Sequence, residues 1–235
     1  MMLNVTNIES YYGAAKILYG VSLHAAAGEV VALLGRNGAG KSTLMKSIIG
    51  LVVPKAGSVS LRDQDITGLP PFAIARQGIG YVPEERRVFT SLTILENLEA
   101  GRQDRPASGL APWTPERLFA LFPNLAGMRT RRGGQISGGE QQMLTIARTL
   151  MGNPSVILLD EPSEGLAPKI VEQVADAIRE LKAAGLTVLL SEQNMHFAAL
   201  ISDRAYVIEK GQIRYSGSME DLKANEDVRK AYLAV

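Results

Sequence analysis

The chain has 235 residues, 46% of them hydrophobic and 21% charged, with a net charge of +1 and no cysteine. This length suits one domain carrying an insertion, with enough apolar material for a full core. The near-zero charge excludes electrostatic steering toward nucleic acid or an anionic membrane surface, and the lack of cysteine excludes disulfides and thiolate metal sites.

The opening Met1-Met2-Leu3-Asn4-Val5 lacks a basic stretch followed by an apolar one, so no signal peptide is expected. No apolar run approaches the roughly 18 residues that cross a bilayer. Attachment to a membrane is therefore expected only through other subunits.

Leu3 to Ile8 alternates apolar and polar residues and predicts an edge-type strand, followed by a turn at Tyr11-Tyr12-Gly13 and a short strand from Val21 to Leu23. Tyr12, just before its turn, offers a ring on which adenine could stack; a half-buried strand-end tyrosine reads equally well. Val30 to Leu34, bounded by Gly28 and Gly35, predicts a buried strand. It runs into Gly35-Arg36-Asn37-Gly38-Ala39-Gly40-Lys41-Ser42-Thr43, which fits the phosphate-loop pattern G-x-x-x-x-G-K-[ST]. A helix is expected over Ser42 to Ile49. The glycines let successive N–H groups turn toward an anion, and the helix start adds partial positive charge. Lys41 is placed to reach the β- and γ-phosphates of a bound nucleotide, and the Ser42 hydroxyl to hold Mg²⁺.

Strands are then expected at Ser58 to Arg62 and Ile79 to Val82, with a turn at Asp63-Gln64-Asp65, a short helix from Pro71 to Arg76, and the charged loop Pro83-Glu84-Glu85-Arg86-Arg87. Residues 92–150 read as an inserted helical subdomain. Thr93 and Glu96 have capping-box spacing, Gly101 to Trp113 is a loop, and Thr114-Pro115 starts a helix. Ser137-Gly138-Gly139-Glu140 opens another. Strand–helix alternation resumes with a strand at Val156 to Leu159, a helix from Pro168 to Ala184 and a strand at Thr187 to Leu190. A hairpin follows, turning at Lys210-Gly211, then two short helices capped by Ser218 and Asn225. This order predicts an α/β fold: a mainly parallel sheet core, an N-terminal antiparallel β part and the helical insertion, in one domain spanning 1–235.

Two further motifs carry chemistry. Val156-Ile157-Leu158-Leu159-Asp160-Glu161 is an apolar strand ending in two carboxylates, which beside a phosphate loop suit an Mg²⁺ ligand (Asp160) and a general base (Glu161). Solvated strand-end acids are the plainer alternative. At Ile136-Ser137-Gly138-Gly139-Glu140-Gln141-Gln142, Ser137 and Glu140 again fit a capping box, but a cap leaves the two glycines unexplained unless something approaches closely.

With these motifs in this order, the chain resembles the P-loop NTPases of the ABC type from Leu3 to Leu233. Tyr12 matches the aromatic loop, Gly35 to Thr43 the Walker A loop, Ile136 to Gln142 the signature and Val156 to Asp160 Walker B. The resemblance implies ATP and Mg²⁺ as cofactors and catalysis by Lys41, Glu161 and Gln193, the last at the usual switch-histidine position. It implies nucleotide contacts from Tyr12, Gly35, Arg36, Asn37, Gly38, Ala39, Gly40, Lys41, Ser42 and Thr43. Ser137, Gly138, Gly139 and Glu140 would contact the γ-phosphate bound on an opposite subunit. Ser42, Asp160 and Glu84, the last where glutamine is usual, would surround Mg²⁺. Ala167 replaces an aspartate of the general pattern, and His196 falls a helical turn beyond the switch position.

Tyr81 to Phe89, Leu121-Phe122-Pro123, Leu166-Ala167-Pro168 and Glu192-Gln193-Asn194 are similar to the smaller ATPase of branched-chain amino acid importers. That implies two transmembrane permease subunits and a second ABC ATPase as partners, a heterodimer being expected and a homodimer the alternative. A periplasmic solute-binding protein would act indirectly, nucleic acid would not be involved, and the chain would sit peripherally on the cytoplasmic face of the inner membrane. Glu164, where an apolar residue is usual, also fits a urea or short-amide importer. A lipid or glycolipid exporter, and a nucleotide-gated protein that does not hydrolyse, are the remaining readings.

Overall fold

The computed structural model describes residues 1–103 and 110–233. Strands β1 (Leu3–Tyr12) and β2 (Ala15–Ala25) form a hairpin, and β3 (Val30–Leu34) leaves it for a second sheet. β4 (Ala56–Leu61) and β5 (Gln64–Asp65) return, giving an antiparallel sheet in the order β2-β1-β4-β5. β1 is therefore an inner strand, not the edge strand its pattern suggests. Leu3 pairs with Ala25 on one side and Leu61 on the other. Tyr11 and Tyr12 stay in the strand because Lys16 and Ala15 face them across the hairpin, leaving Gly13 to turn at φ 60°.

The second sheet holds β6 (Ile79–Val82), β7 (Val156–Asp160), β8 (Thr187–Glu192), β9 (Arg204–Glu209) and β10 (Gln212–Ser218), in the order β10-β9-β3-β8-β7-β6. All its pairings are parallel except β9–β10, the hairpin expected at Lys210-Gly211, where φ is 47° and 73°. Helices α1 (Lys41–Ile48) and α2 (Pro71–Gln77) follow β3 and β5. Between β6 and β7 lie α3 (Ile94–Ala100), α4 (Pro115–Leu121), α5 (Pro123–Ala126) and α6 (Gly138–Leu150). Last come α7 (Pro168–Ala183), α8 (Met195–Ile201), α9 (Met219–Ala224) and α10 (Glu226–Val228). The capping boxes Thr93/Glu96 and Ser137/Glu140 both form, and Thr114, Ser218 and Asn225 cap as their sequence positions predict. Part of the loop expected at Gly101 to Trp113 lies outside the described residues.

Alternate residues of the central strands feed two cores, as a pleated sheet covered on both faces requires. Val30, Ala32, Leu34, Ile157 and Leu159 face the inserted helices and α7. Val31, Leu33, Val156, Leu158 and Leu189 face α1 and the antiparallel sheet. The catalytic loops leave the carboxyl ends of these strands, so the polar ends of β3, β7 and β8 meet at one place. Among the described residues no helix is long and apolar enough to cross a membrane.

Candidate active site

The loop between β3 and α1 is shaped by its glycines. Gly38 and Gly40 take φ 79° and 110°, and a Cβ on Gly35 would meet the Ile208 carbonyl oxygen at 2.4 Å. Gly40 caps α1 with no side-chain acceptor, and no acid stands in the first turn. The opening N–H groups are thus left for an external anion. The Lys41 ammonium, 3% exposed, donates to the carbonyls of Gly35 (2.8 Å) and Arg36 (3.2 Å) and pairs with Glu161 at 3.0 Å. Arg36 and Asn37 project at the exposed rim, while Ala39 and Thr43 are buried beneath it.

Parallel pairing of β7 with β8 sets Asp160 opposite Ser191. Asp160 Oδ1 accepts from the hydroxyls of Ser42 (3.1 Å) and Ser191 (2.5 Å), and Oδ2 from Tyr81 (3.1 Å). Burial and the Asp160 charge push the Tyr81 phenol well above its ordinary range, so it remains a donor. Ser42 and Asp160 therefore present two hard oxygens side by side, the donor set Mg²⁺ takes when phosphate and water complete its shell. No larger group of acidic or imidazole ligands occurs among the described residues. Glu84 stands apart on the exposed loop after β6. Its pKa is raised by partial burial and then by the negative charges of Glu161 and Asp160.

Glu161 is 8% exposed and holds φ 47°, fixed by its N–H donating to the Ser191 carbonyl (3.1 Å) and hydroxyl (3.2 Å). A cleft of about 330 Å³ brings it together with Asn37, Glu164, Glu192, Gln193 and Asn194. Gln193 is exposed there, whereas His196 lies on the outer side of α8, away from the cleft lining. Glu164 shares a hydrogen bond with Glu161; that bond, then burial, raises its pKa. Buried Glu192 accepts from the N–H groups of Ser163 (3.0 Å) and Asn194 (3.2 Å), tying the loops after β7 and β8 together. Burial outweighs these bonds and pushes its pKa up to about 7. Sequence reasoning gave no role to Tyr81, Ser191 or Glu192. The available signal was two apolar strands that each end in polar residues at matching parallel register.

Tyr12 stands at the tip of the first hairpin, 49% exposed, and Leu18 of the same hairpin packs against Gly40. The hairpin that carries the exposed Tyr12 ring thus touches the phosphate loop through Leu18. The signature residues do not join this cluster. Ser137 accepts from the Glu140 N–H (3.3 Å), and Glu140 accepts from the Ser137 N–H (2.7 Å). Side chains lie close against both glycines: a Cβ on Gly138 would lie 2.4 Å from Arg86 Nη1, and one on Gly139 2.9 Å from Ile170 Cγ2. Ser137 keeps its hydroxyl proton to donate outward.

The arrangement is a phosphate cradle, an Mg²⁺-type oxygen pair and a buried carboxylate, a complete set for hydrolysing a nucleoside triphosphate except for the signature, which faces elsewhere. A family model described as ABC transporter matches residues 18–164. The chain is 42% identical to the high-affinity branched-chain amino acid transport ATP-binding protein BraG of Pseudomonas aeruginosa, covering 99% of each. It is 36% identical to the lipopolysaccharide export system ATP-binding protein LptB of Escherichia coli, covering 98% of this chain and 96% of that one. A solved ATP-binding cassette of an ABC transporter in its ADP conformation superposes with a TM-score of 0.82 at 31% identity, covering 97% of both chains. With site, fold and relatives in agreement, this chain belongs to the ABC transporter family as one of its ATP-hydrolysing cassettes.

Proposed function

We propose that this cassette powers uptake of branched-chain amino acids, working with two permease subunits, a second ABC ATPase and, indirectly, a periplasmic solute-binding protein, on the cytoplasmic face of the inner membrane. The observation that carries the reading is full-length similarity to the BraG importer ATPase. The Glu84 to Phe89 loop, part of one of the segments that resemble importer ATPases, borders a surface fit for a membrane partner. Phe72 (63% exposed) and Phe89 (49% exposed) flank a cleft of about 460 Å³ that also takes in Leu51, Tyr81 and Arg148. Exposed aromatics around a concave floor are the composition of an interface core. The second reading, export of a lipopolysaccharide-like lipid, is favoured by the LptB relatives. Uptake of labelled leucine, compared with urea, in cells lacking and regaining this chain tests the choice. Uptake of neither, with an export defect, would overturn it.

In the proposed mechanism, Lys41 and the N–H groups of residues 38–43 hold the triphosphate, and Tyr12 stacks on the adenine. Ser42 and Asp160, with Glu84 nearby, would hold Mg²⁺, which neutralises developing phosphate charge. Glu161 takes a proton from the attacking water, and Gln193 donates its amide N–H toward the γ-phosphate. Ser137, Gly138, Gly139 and Glu140 complete the site of the opposite cassette.

A further inference from the structure

In sequence, Arg86 and Arg87 look like one pair of exposed docking charges. The structure separates them. Arg87 is 61% exposed and pairs with Glu85 at 3.5 Å. Arg86 is half-buried and turned the other way: its Nη1 lies 2.4 Å from where a Cβ on Gly138 would stand, and its Nη2 lies 3.8 Å from that of Gly165. The guanidinium thus spans the first residue of the signature helix and the loop that follows the catalytic base. No carboxylate among the described residues pairs with it.

The backbone is built to hold it there. Arg86 and Arg87 take φ 60° and 43°, a left-handed conformation that costs roughly 1–2 kcal/mol per residue without glycine. Two bonds from α6 retain it: Thr145 Oγ1 donates to the Arg86 carbonyl at 2.5 Å, and Arg148 Nη2 donates to the Arg87 carbonyl at 2.8 Å. Glu140 supplies the acid in the first turn of α6, so the guanidinium adds positive charge at this helix start that a phosphate would offset. The guanidinium fork matches a phosphate's oxygens.

We propose that Arg86 is a further phosphate-contacting residue of the signature half-site, acting with Ser137, Gly138 and Gly139 on the γ-phosphate of the nucleotide held by the opposite cassette. This rests on the reading that the signature faces that nucleotide. It also accounts for glycine at 138, since any side chain there would displace the guanidinium.

The test uses the transporter purified with its own membrane partners and second cassette. ADP trapped with orthovanadate is measured on the opposite cassette, alongside ADP affinity of this chain's own phosphate loop. Arg86→Ala should lower both turnover and trapping on the opposite cassette by about 10²–10³-fold, the usual loss of one transition-state donor. ADP affinity at the chain's own loop should stay within about twofold of wild type. Arg86→Lys should recover part of the loss as a point charge, whereas Arg86→Gln, of similar length, should recover none. Lys230→Ala, at a remote exposed residue paired with Glu226, should leave trapping unchanged. Normal trapping in both Arg86→Ala and Arg86→Gln would overturn the proposal, as would loss of transport with full turnover in detergent, which would make Arg86 a docking residue. Ser137→Ala separates the two levels. If it abolishes trapping while Arg86→Ala does not, only the role of Arg86 falls. If it too has no effect, the signature reading falls with it.

Discussion

Glu192→Gln should flatten the pH dependence of this protein's stability. The buried Glu192 carboxyl has its pKa raised from 4.5 to about 7, with burial as the main cause. Folding therefore favours its protonated form. The contribution is fully present below pH 4.5, erodes as the unfolded chain ionises, and is lost once pH rises through about 7. At 1.36 kcal/mol per pKa unit the full cost of ionisation is about 3 kcal/mol, of which about 2.5 kcal/mol falls between pH 5 and 8. Glutamine does not titrate and keeps one acceptor for the N–H groups of Ser163 and Asn194, so its absolute stability can shift while its slope cannot follow the wild type. Urea unfolding of the nucleotide-free chain, followed by the single tryptophan Trp113, 6% exposed in the core, measures both. The difference in unfolding free energy between variant and wild type should change by about 2–3 kcal/mol from pH 5 to 8, in favour of the variant at high pH. A constant difference would refute the burial reasoning.

Lys41→Ala removes a charge-assisted phosphate contact of about 1.5–3 kcal/mol, so titration calorimetry should show ATP affinity lower by roughly one to two powers of ten. Unchanged affinity would take the nucleotide away from this loop. Phe72→Asp combined with Arg87→Glu should leave ATP binding by the isolated chain intact and abolish co-purification of the membrane subunits; intact complexes would move the docking surface elsewhere. Gln193→His should add an inflection near pH 6.5 to kcat, and the same inflection in wild type, lost in His196→Ala, would make His196 the switch residue instead.

The phosphate loop, both carboxylates and the capped helix starts were legible because each is a local pattern whose chemistry depends on residues a few positions apart. The hairpin at Lys210-Gly211 was legible for the same reason. β1 was misjudged as an edge because its second partner, β4, pairs from the far side of α1, and nothing in Leu3 to Ile8 reports that pairing. The support around Asp160 was hidden in the same way: Tyr81, Ser191 and Glu192 reach the site only through the parallel register of β6, β7 and β8. The signature glycines sit between these cases. Sequence showed that something must approach them closely, and only the fold shows that within one chain it is Arg86 and Ile170.

The central claim is that Glu161, buried and paired with Lys41 at 3.0 Å, is the base of an ATP-hydrolysing cassette. Glu161→Gln keeps the shape of the side chain and removes its basicity, so the direct measurement is steady-state phosphate release beside ATP binding for wild type and variant in the purified transporter. Turnover should fall by about 10²–10⁴-fold with ATP still bound. Turnover at the wild-type rate would contradict the assignment.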